Sequence, residues 1–297
     1  MSRLASILPH PVVFSPPLDK SDRDETYLRM KPTYQAVSLI KHRETKNRQH
    51  ISYRKRFAGS VLLSVQYRMH PSISAFSSAV FYDGLLSTPS FLSQLRNFPI
   101  TFQEALPTID KELGVRFVNI GGQTNESKGE KVLVNTEAVN GIIDENFSYS
   151  NEAEVTYIIQ LLKRVFKEEL KTGVFTSTIG IVTPYSAQVA LLKSRMANDA
   201  EFRSLVQQHP VIIEVKSVDA YQGRERDIII FSAVRSNYGN KIGFLKDWRR
   251  MNVALTRAKS GLIVVGDMET LSSDRHWEAF GKWCTSMNCL LNIEANN

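Results

Sequence analysis

The chain has 297 residues, 42% hydrophobic and 23% charged, an ordinary globular make-up with enough length to bury a sizeable core. No run of about 18 apolar residues occurs, so no membrane-spanning helix is expected, and two cysteines, Cys284 and Cys289, with no second pair speak against a zinc site and suit a reducing compartment. The formal net charge is +7, but twelve of the 37 Lys/Arg and only five of the 30 Asp/Glu fall in residues 1–56, so the whole excess sits there and charge alone does not mark the rest as a nucleic-acid binder.

Residues 1–56 read as a flexible basic arm. Pro9, Pro11, Pro16 and Pro17 break its one apolar stretch, and Lys41 to Arg48 is a basic run. That run fits a solvated arm, or an RNA-binding or nuclear-import tract. A nuclear or cytoplasmic location is expected. Residues 57–290 read as one α/β domain and 291–297 as a tail. Val61 to Val65 predicts a buried strand. Pro71 opens a helix through about Tyr82, proline being well placed in a first helical turn. Residues 84–114 are loop-like with short elements, Val115 to Ile120 is a strand, and Gly121 to Lys131 is a polar, glycine-rich segment read as a mobile loop. Val155, Ile158, Ile159, Leu162 and Phe166 share one helical face. Strands follow at 179–182, 211–215, 227–234 and 261–265. Helices are predicted at 187–196, 247–258 and 276–287. Alternating strands and helices predict a parallel sheet covered on both faces.

Four segments carry chemistry. Gln66-Tyr67-Arg68-Met69-His70-Pro71 lies where the first strand passes into a helix. Ligands collect at carboxyl ends of strands in open α/β sheets, where an arginine can hold phosphate and a tyrosine can stack on a base. Thr183-Pro184-Tyr185-Ser186-Ala187-Gln188 offers a hydroxyl, a ring and an amide in one turn, suited to a single strand. In Ser217-Val218-Asp219-Ala220-Tyr221-Gln222-Gly223-Arg224-Glu225, Gly223 permits a sharp turn and Glu225 can accept from a ribose. In Arg249-Arg250-Met251-Asn252-Val253-Ala254-Leu255-Thr256-Arg257-Ala258-Lys259, Arg250 and Arg257 lie two helical turns apart and so project to a similar side. Each segment alone also has a structural reading: a hydrogen-bonded pair, a capped helix with a packed tyrosine, a closed turn, a solvated basic face.

In this order the four segments resemble the motif series of superfamily-1 helicases of the nonsense-mediated-decay and senataxin type, over about residues 58–285. Phe81-Tyr82-Asp83-Gly84-Leu85-Leu86 and Asn151-Glu152-Ala153-Glu154 agree with that family too. The resemblance implies a second RecA-like domain of P-loop NTPase fold. It implies that Arg68 and Arg257 contact the γ-phosphate of ATP, with Arg257 the arginine finger. It implies Tyr67 against adenine, Glu225 at the ribose or a neighbouring phosphate, and Gly223 shaping the loop. Thr183, Pro184, Tyr185, Ser217 and Val218 would line the track for single-stranded RNA or DNA.

The family also requires a first RecA-like domain with Gly-x-x-x-x-Gly-Lys-Ser/Thr to cradle phosphates. That sequence does not occur here: Gly281-Lys282 is followed by Trp283. Asp144-Glu145 follows an apolar pair but lies on the wrong side of the first motif, and Asp24-Glu25 has no strand before it, so no metal ligands are expected in this chain. Mg²⁺ would arrive with ATP. Negligible ATPase is expected of the chain alone, as a truncated product, a fragment or half of a split motor. A non-enzymatic module that binds nucleic acid or a helicase is the alternative. The motor reading requires Arg68, Glu225 and Arg257 to converge on one edge of a common sheet.

Overall fold

The computed structural model describes residues 63–108, 110–121, 126–131, 147–174 and 178–293. The basic arm, Asp24-Glu25, Asp144-Glu145 and the last tail residues lie outside them. The helices among the described residues are α1 (Pro71–Phe81), α2 (Phe91–Leu95), α3 (Ile100–Ala105), α4 (Glu152–Thr172), α5 (Ser186–Asn198), α6 (Ala200–Gln207), α7 (Trp248–Leu255), α8 (Met268–Leu271) and α9 (Arg275–Ser286). The strands are β1 (Val115–Asn119), β2 (Glu126–Lys131), β3 (Phe147–Asn151), β4 (Thr178–Thr183), β5 (Ile212–Ser217), β6 (Arg226–Ser232), β7 (Ala258–Gly266) and β8 (Leu290–Asn292). Six strands form one parallel sheet in the order β5-β4-β6-β7-β1-β8, and β2 pairs antiparallel with β3. The predicted α/β class and parallel sheet are therefore present. Among the described residues no helix is long and apolar enough to cross a membrane.

Alternation along the strands divides the core in two. Ile229, Phe231, Leu262 and Val264 pack under α1, α7 and α9. Ile228, Ile230, Ile263 and Val265 pack under α3, α4 and α6. The predicted face of α4 is buried in that second layer. Asn151 caps the helix by accepting from the Glu154 amide at 3.1 Å, and Gly173 closes it at φ 69°.

Three predicted elements differ. Leu63 to Val65 makes no buried strand: Val65 forms a lone parallel bridge to Ser87 and Leu63 is exposed. The expected polar loop over 121–131 contains β2, whose strand character comes from pairing with β3 rather than from its own residues. The helix expected through Ala258 ends at Leu255. Thr256 closes it by donating from its hydroxyl to the Asn252 carbonyl at 2.7 Å, and the chain turns into β7.

The step from β5 to β6 crosses β4 without a full helix. A 3-10 turn, Asp219–Tyr221, lays the Tyr221 ring on the sheet over Gly180. A Cβ on Gly180 would lie 2.2 Å from the Tyr221 hydroxyl. Gly180→Ala is therefore expected to destabilise the protein by about 1–3 kcal/mol. Tyr221→Phe in the same chain removes the clashing oxygen and is expected to recover part of the loss in chemical denaturation. Equal melting of Gly180→Ala and parent would contradict this packing.

Candidate nucleotide and nucleic-acid edges

At the amino edge of the sheet, Gln66 shapes the chain before α1. Its Oε1 accepts from the amides of Arg68 (2.9 Å) and Met69 (2.8 Å), and its Nε2 donates to Thr88 Oγ1 at 2.6 Å. His70 caps α1, with Nδ1 accepting from the Ser72 amide at 3.2 Å. Burial lowers its pKa to about 4, which keeps the ring neutral and able to accept. The His70 amide donates to the Lys259 carbonyl at 2.8 Å, pinning the turn to the start of β7.

This frame brings Arg68, Glu225 and Arg257 together. Arg68 Nε donates to Glu225 Oε2 at 2.5 Å, and its Nη1 donates to the Thr256 carbonyl at 3.2 Å. Arg257 Nη2 donates to the Thr256 hydroxyl at 2.9 Å and its Nε to the Val253 carbonyl at 2.9 Å. Thr256 thus touches both guanidinium groups. The Arg226 amide donates to the Arg257 carbonyl at 3.2 Å, which sets Glu225 beside Arg257 in the register. Glu225 immediately precedes β6 and Arg257 immediately precedes β7, so the three meet at amino ends of strands. The carboxyl end of a strand, expected for Arg68, is not where it lies. Of the strand thought to deliver it, the described residues 63–65 form only the Val65 bridge to Ser87.

Burial pushes the Glu225 carboxyl up, but hydrogen bonds and charges from Arg68 and Lys259 outweigh that and hold it below the usual carboxylate range. Arg257 behaves in the opposite sense. Burial, then the neighbouring charge of Arg68, lower its pKa to about 10, with Tyr82 and Glu225 offsetting only part. Among the described residues no carboxylate forms an ion pair with Arg257. The cluster holds Arg68, Arg257 and Lys259 against Glu225 alone, and a polyanion would relieve that excess. Tyr67 lies beside it, 43% exposed. Gly223 is exposed at φ 79°, where a side chain would strain the turn.

Lys259 was missed as a site residue. Its Nζ lies 3.2 Å from Glu225 Oε1. It stands two residues after Arg257, the strand spacing that returns a side chain to the same face, and that spacing becomes readable only once the helix is known to end early. Arg250 does not join Arg257. It forms a two-point pair with Asp219 at 3.3 and 3.4 Å and lies over the Phe244 ring.

The other motif residues lie at the carboxyl edge. Thr183 ends β4 and Ser217 ends β5 in register, and the Val218 amide donates to the Thr183 carbonyl at 3.0 Å. Thr183, Tyr185 and Val218 are buried; Pro184 and Ser217 are half-buried. The Tyr185 ring packs edge-on against Tyr149 and Phe244. Its hydroxyl donates to the Ile242 carbonyl at 3.4 Å and accepts from Arg235 Nη1 at 3.3 Å. Arg235 in turn stacks over Tyr149 at 4.0 Å and donates to both oxygens of Glu126 on β2. No local signal marked that pair, because its partners lie far apart in sequence.

Among the described residues no group of three or more His, Cys, Asp or Glu could hold a metal ion. A parallel α/β sheet with helices on both faces is the frame of a RecA-like lobe of the P-loop class, and the carboxylate-poor arginine cluster lies at one of its edges. The AAA domain family matches residues 38–269, starting inside the segment read as a basic arm, and the chain belongs to it, as the C-terminal RecA-like part of superfamily-1 helicases of the nonsense-mediated-decay and senataxin type. Regulator of nonsense transcripts 1 homolog of Arabidopsis thaliana is 35% identical over 80% of this chain and 17% of its own length. Helicase sen1 of Schizosaccharomyces pombe is 34% identical over 76% of this chain and 12% of its own. Uncharacterized ATP-dependent helicase MJ0104 of Methanocaldococcus jannaschii is 32% identical over 77% of this chain and 30% of its own. The chain thus spans under a third of each of these relatives.

Proposed function

We propose that this chain is the second motor lobe of an ATP-dependent helicase acting on single-stranded RNA or DNA, and that it supplies the arginine side of a nucleotide cleft shared with a first RecA-like domain, in cis or in trans. The observation that carries the reading is Arg257: a largely buried guanidinium, held by a carbonyl and a hydroxyl, beside a second arginine. Positioned cations of this kind stabilise charge on a transferring phosphoryl group.

In this reading Arg68 and Arg257 meet the γ-phosphate. Arg68 exchanges Glu225 for phosphate oxygens, and Glu225, still held by Lys259, turns to the ribose or a neighbouring phosphate. Tyr67 offers its exposed ring to adenine, and Gly223 keeps the backbone close. ATP supplies the phosphoryl group and the Mg²⁺ it carries; ligands for that ion are expected on the partner lobe. Pro184 and Ser217, with the backbone at Thr183, Tyr185 and Val218, line the strand. Alone, the chain offers only the arginine side of the cleft, without the phosphate cradle that a first lobe would bring, and negligible turnover is expected.

A fluorescent ATP analogue and a labelled single-stranded oligonucleotide, each titrated with and without a first-lobe protein, test this. Nucleotide binding and turnover only in the mixture support the shared cleft. Strand binding by the chain, with no effect of any first lobe on nucleotide binding, supports the non-enzymatic module instead. Turnover by this chain alone, lost in Arg257→Ala, would refute the predicted inactivity.

A further inference from the structure

The connection from β6 to α7 carries an aromatic side chain, Phe244, that packs against the Tyr185 ring and still stays partly exposed. Its 3-10 turn, Gly243–Lys246, is anchored on both sides of Phe244. Ile242 and Leu245 are buried, the Ile242 carbonyl accepts from Tyr185, and the Leu245 carbonyl accepts from Trp277 Nε1 at 3.0 Å. Gly243 permits the close approach: it has φ 52°, and a Cβ there would lie 2.7 Å from Arg235 Nη1 and 3.0 Å from the Tyr185 hydroxyl. Held in this rigid turn, Phe244 still leaves 38% of its surface open to water. The Arg250 guanidinium lies over its ring at 5.2 Å.

Charge on this segment is one-sided, and the Arg249 guanidinium lies over the Trp248 ring at 5.7 Å. Lys241, Lys246 and Arg249 are exposed, and among the described residues none of the three forms an ion pair. The nearby acids are engaged: Asp219 pairs with Arg250, and Asp247 caps α7 by accepting from the Arg249 amide at 2.9 Å. Through Arg250 and Asp219 the ring is continuous with Val218 and Ser217. Through Tyr185 it is continuous with Pro184.

We propose that Phe244 is a base-stacking platform, with Lys246 and Arg249 as its phosphate contacts, extending the strand-binding edge beyond the four motifs. The proposal rests on the nucleic-acid reading above. A ring on an anchored turn, already held by Tyr185 and the Arg250 guanidinium, orders little on binding, and every unpaired base offers a face for stacking. Double-stranded nucleic acid keeps those faces covered, so the platform selects single strands.

Fluorescence anisotropy with a labelled oligouridylate and an abasic oligomer of equal length tests it at low salt. The parent is expected to bind the oligouridylate more tightly. Phe244→Ala should weaken oligouridylate binding about ten-fold and abolish its advantage over the abasic strand. Phe244→Tyr should keep that advantage, which guards against a folding defect, and thermal melting of each variant checks it further. The double variant Lys246→Ala, Arg249→Ala should weaken both ligands alike and reduce the slope of log K on log salt by about 1.4. Parent-like discrimination in Phe244→Ala, with both ligands still bound, overturns the platform and leaves the strand-binding reading intact. Binding of neither ligand by the parent overturns that reading, and the platform with it.

Discussion

Arg257→Ala is expected to reduce ATP turnover of the assembled two-lobe motor by about a thousand-fold or more, the magnitude that an arginine finger supplies. Nucleotide binding should fall much less, because the contact strengthens as charge shifts on the transferring phosphoryl group and onto the leaving oxygen. The variant should melt no lower than the parent by more than the loss of its packing, since removing a buried cation beside Arg68 relieves a repulsion. Arg257→Lys is not expected to rescue turnover. The guanidinium uses separate nitrogens to donate to the Val253 carbonyl and the Thr256 hydroxyl, and a single ammonium cannot hold both and still face phosphate. Steady-state turnover with calorimetric melting separates these effects. A parent rate in Arg257→Ala would remove the residue from the mechanism.

The second large effect lies beneath the carboxyl edge. Glu154 is fully buried at the start of α4. Its Oε1 accepts from the Val234 amide at 2.8 Å, and its Oε2 accepts from the Ser232 hydroxyl at 2.5 Å. Val234 has φ 74°, a left-handed conformation that strains a β-branched residue. Gln188 donates to Ser232 and to the Asn151 carbonyl, joining three elements. Glu154→Ala strands two buried donors and frees the strained residue, for a loss of about 3–5 kcal/mol.

Burial raises the Glu154 pKa to about 8, only partly opposed by the Ser232 and Val234 bonds. The folded state therefore holds this proton where the unfolded chain has released it. The contribution of Glu154 to stability is fully present below about pH 4.5 and falls as the pH rises towards about 8. Glu154→Gln keeps an acceptor for the Val234 amide and cannot ionise. Its unfolding free energy should lose this downward slope, as denaturant titrations at several pH values would reveal. An unchanged slope would mean that another group carries the pH dependence.

Much of this fold is legible locally. Ile179 to Val182 and Ile228 to Phe231 are short apolar runs that suit a strand buried on both faces, and the stripe from Val155 to Phe166 suits a helix lying on a core. Glu126 to Lys131 carries no such signal; a polar segment becomes a strand through its partner. The end of α7 was hidden for a related reason. Met251, Ala254 and Leu255 are good helix residues, and what stops the helix is the Thr256 cap together with the Arg226–Arg257 backbone bond, a contact across the sheet. The motifs identified Arg68, Glu225 and Arg257, and the structure brings those three side chains together. Which end of the sheet they occupy depends on how the chain travels between strands. Lys259, Thr256 and the Glu126–Arg235 pair depend on register, which one strand read alone does not contain.

The passage of Val218 to Glu225 across β4 has a mechanical consequence. Eight residues can reach at most about 28 Å, and they must run back along the six-residue length of β4, about 20 Å, with three of them wound into a tight turn and Tyr221 lodged over Gly180. Little slack remains. One end of this short cord is tied beside Ser217, where a strand would run, and the other carries the carboxylate that grips Arg68. A pull at either end has almost no spare chain in which to dissipate.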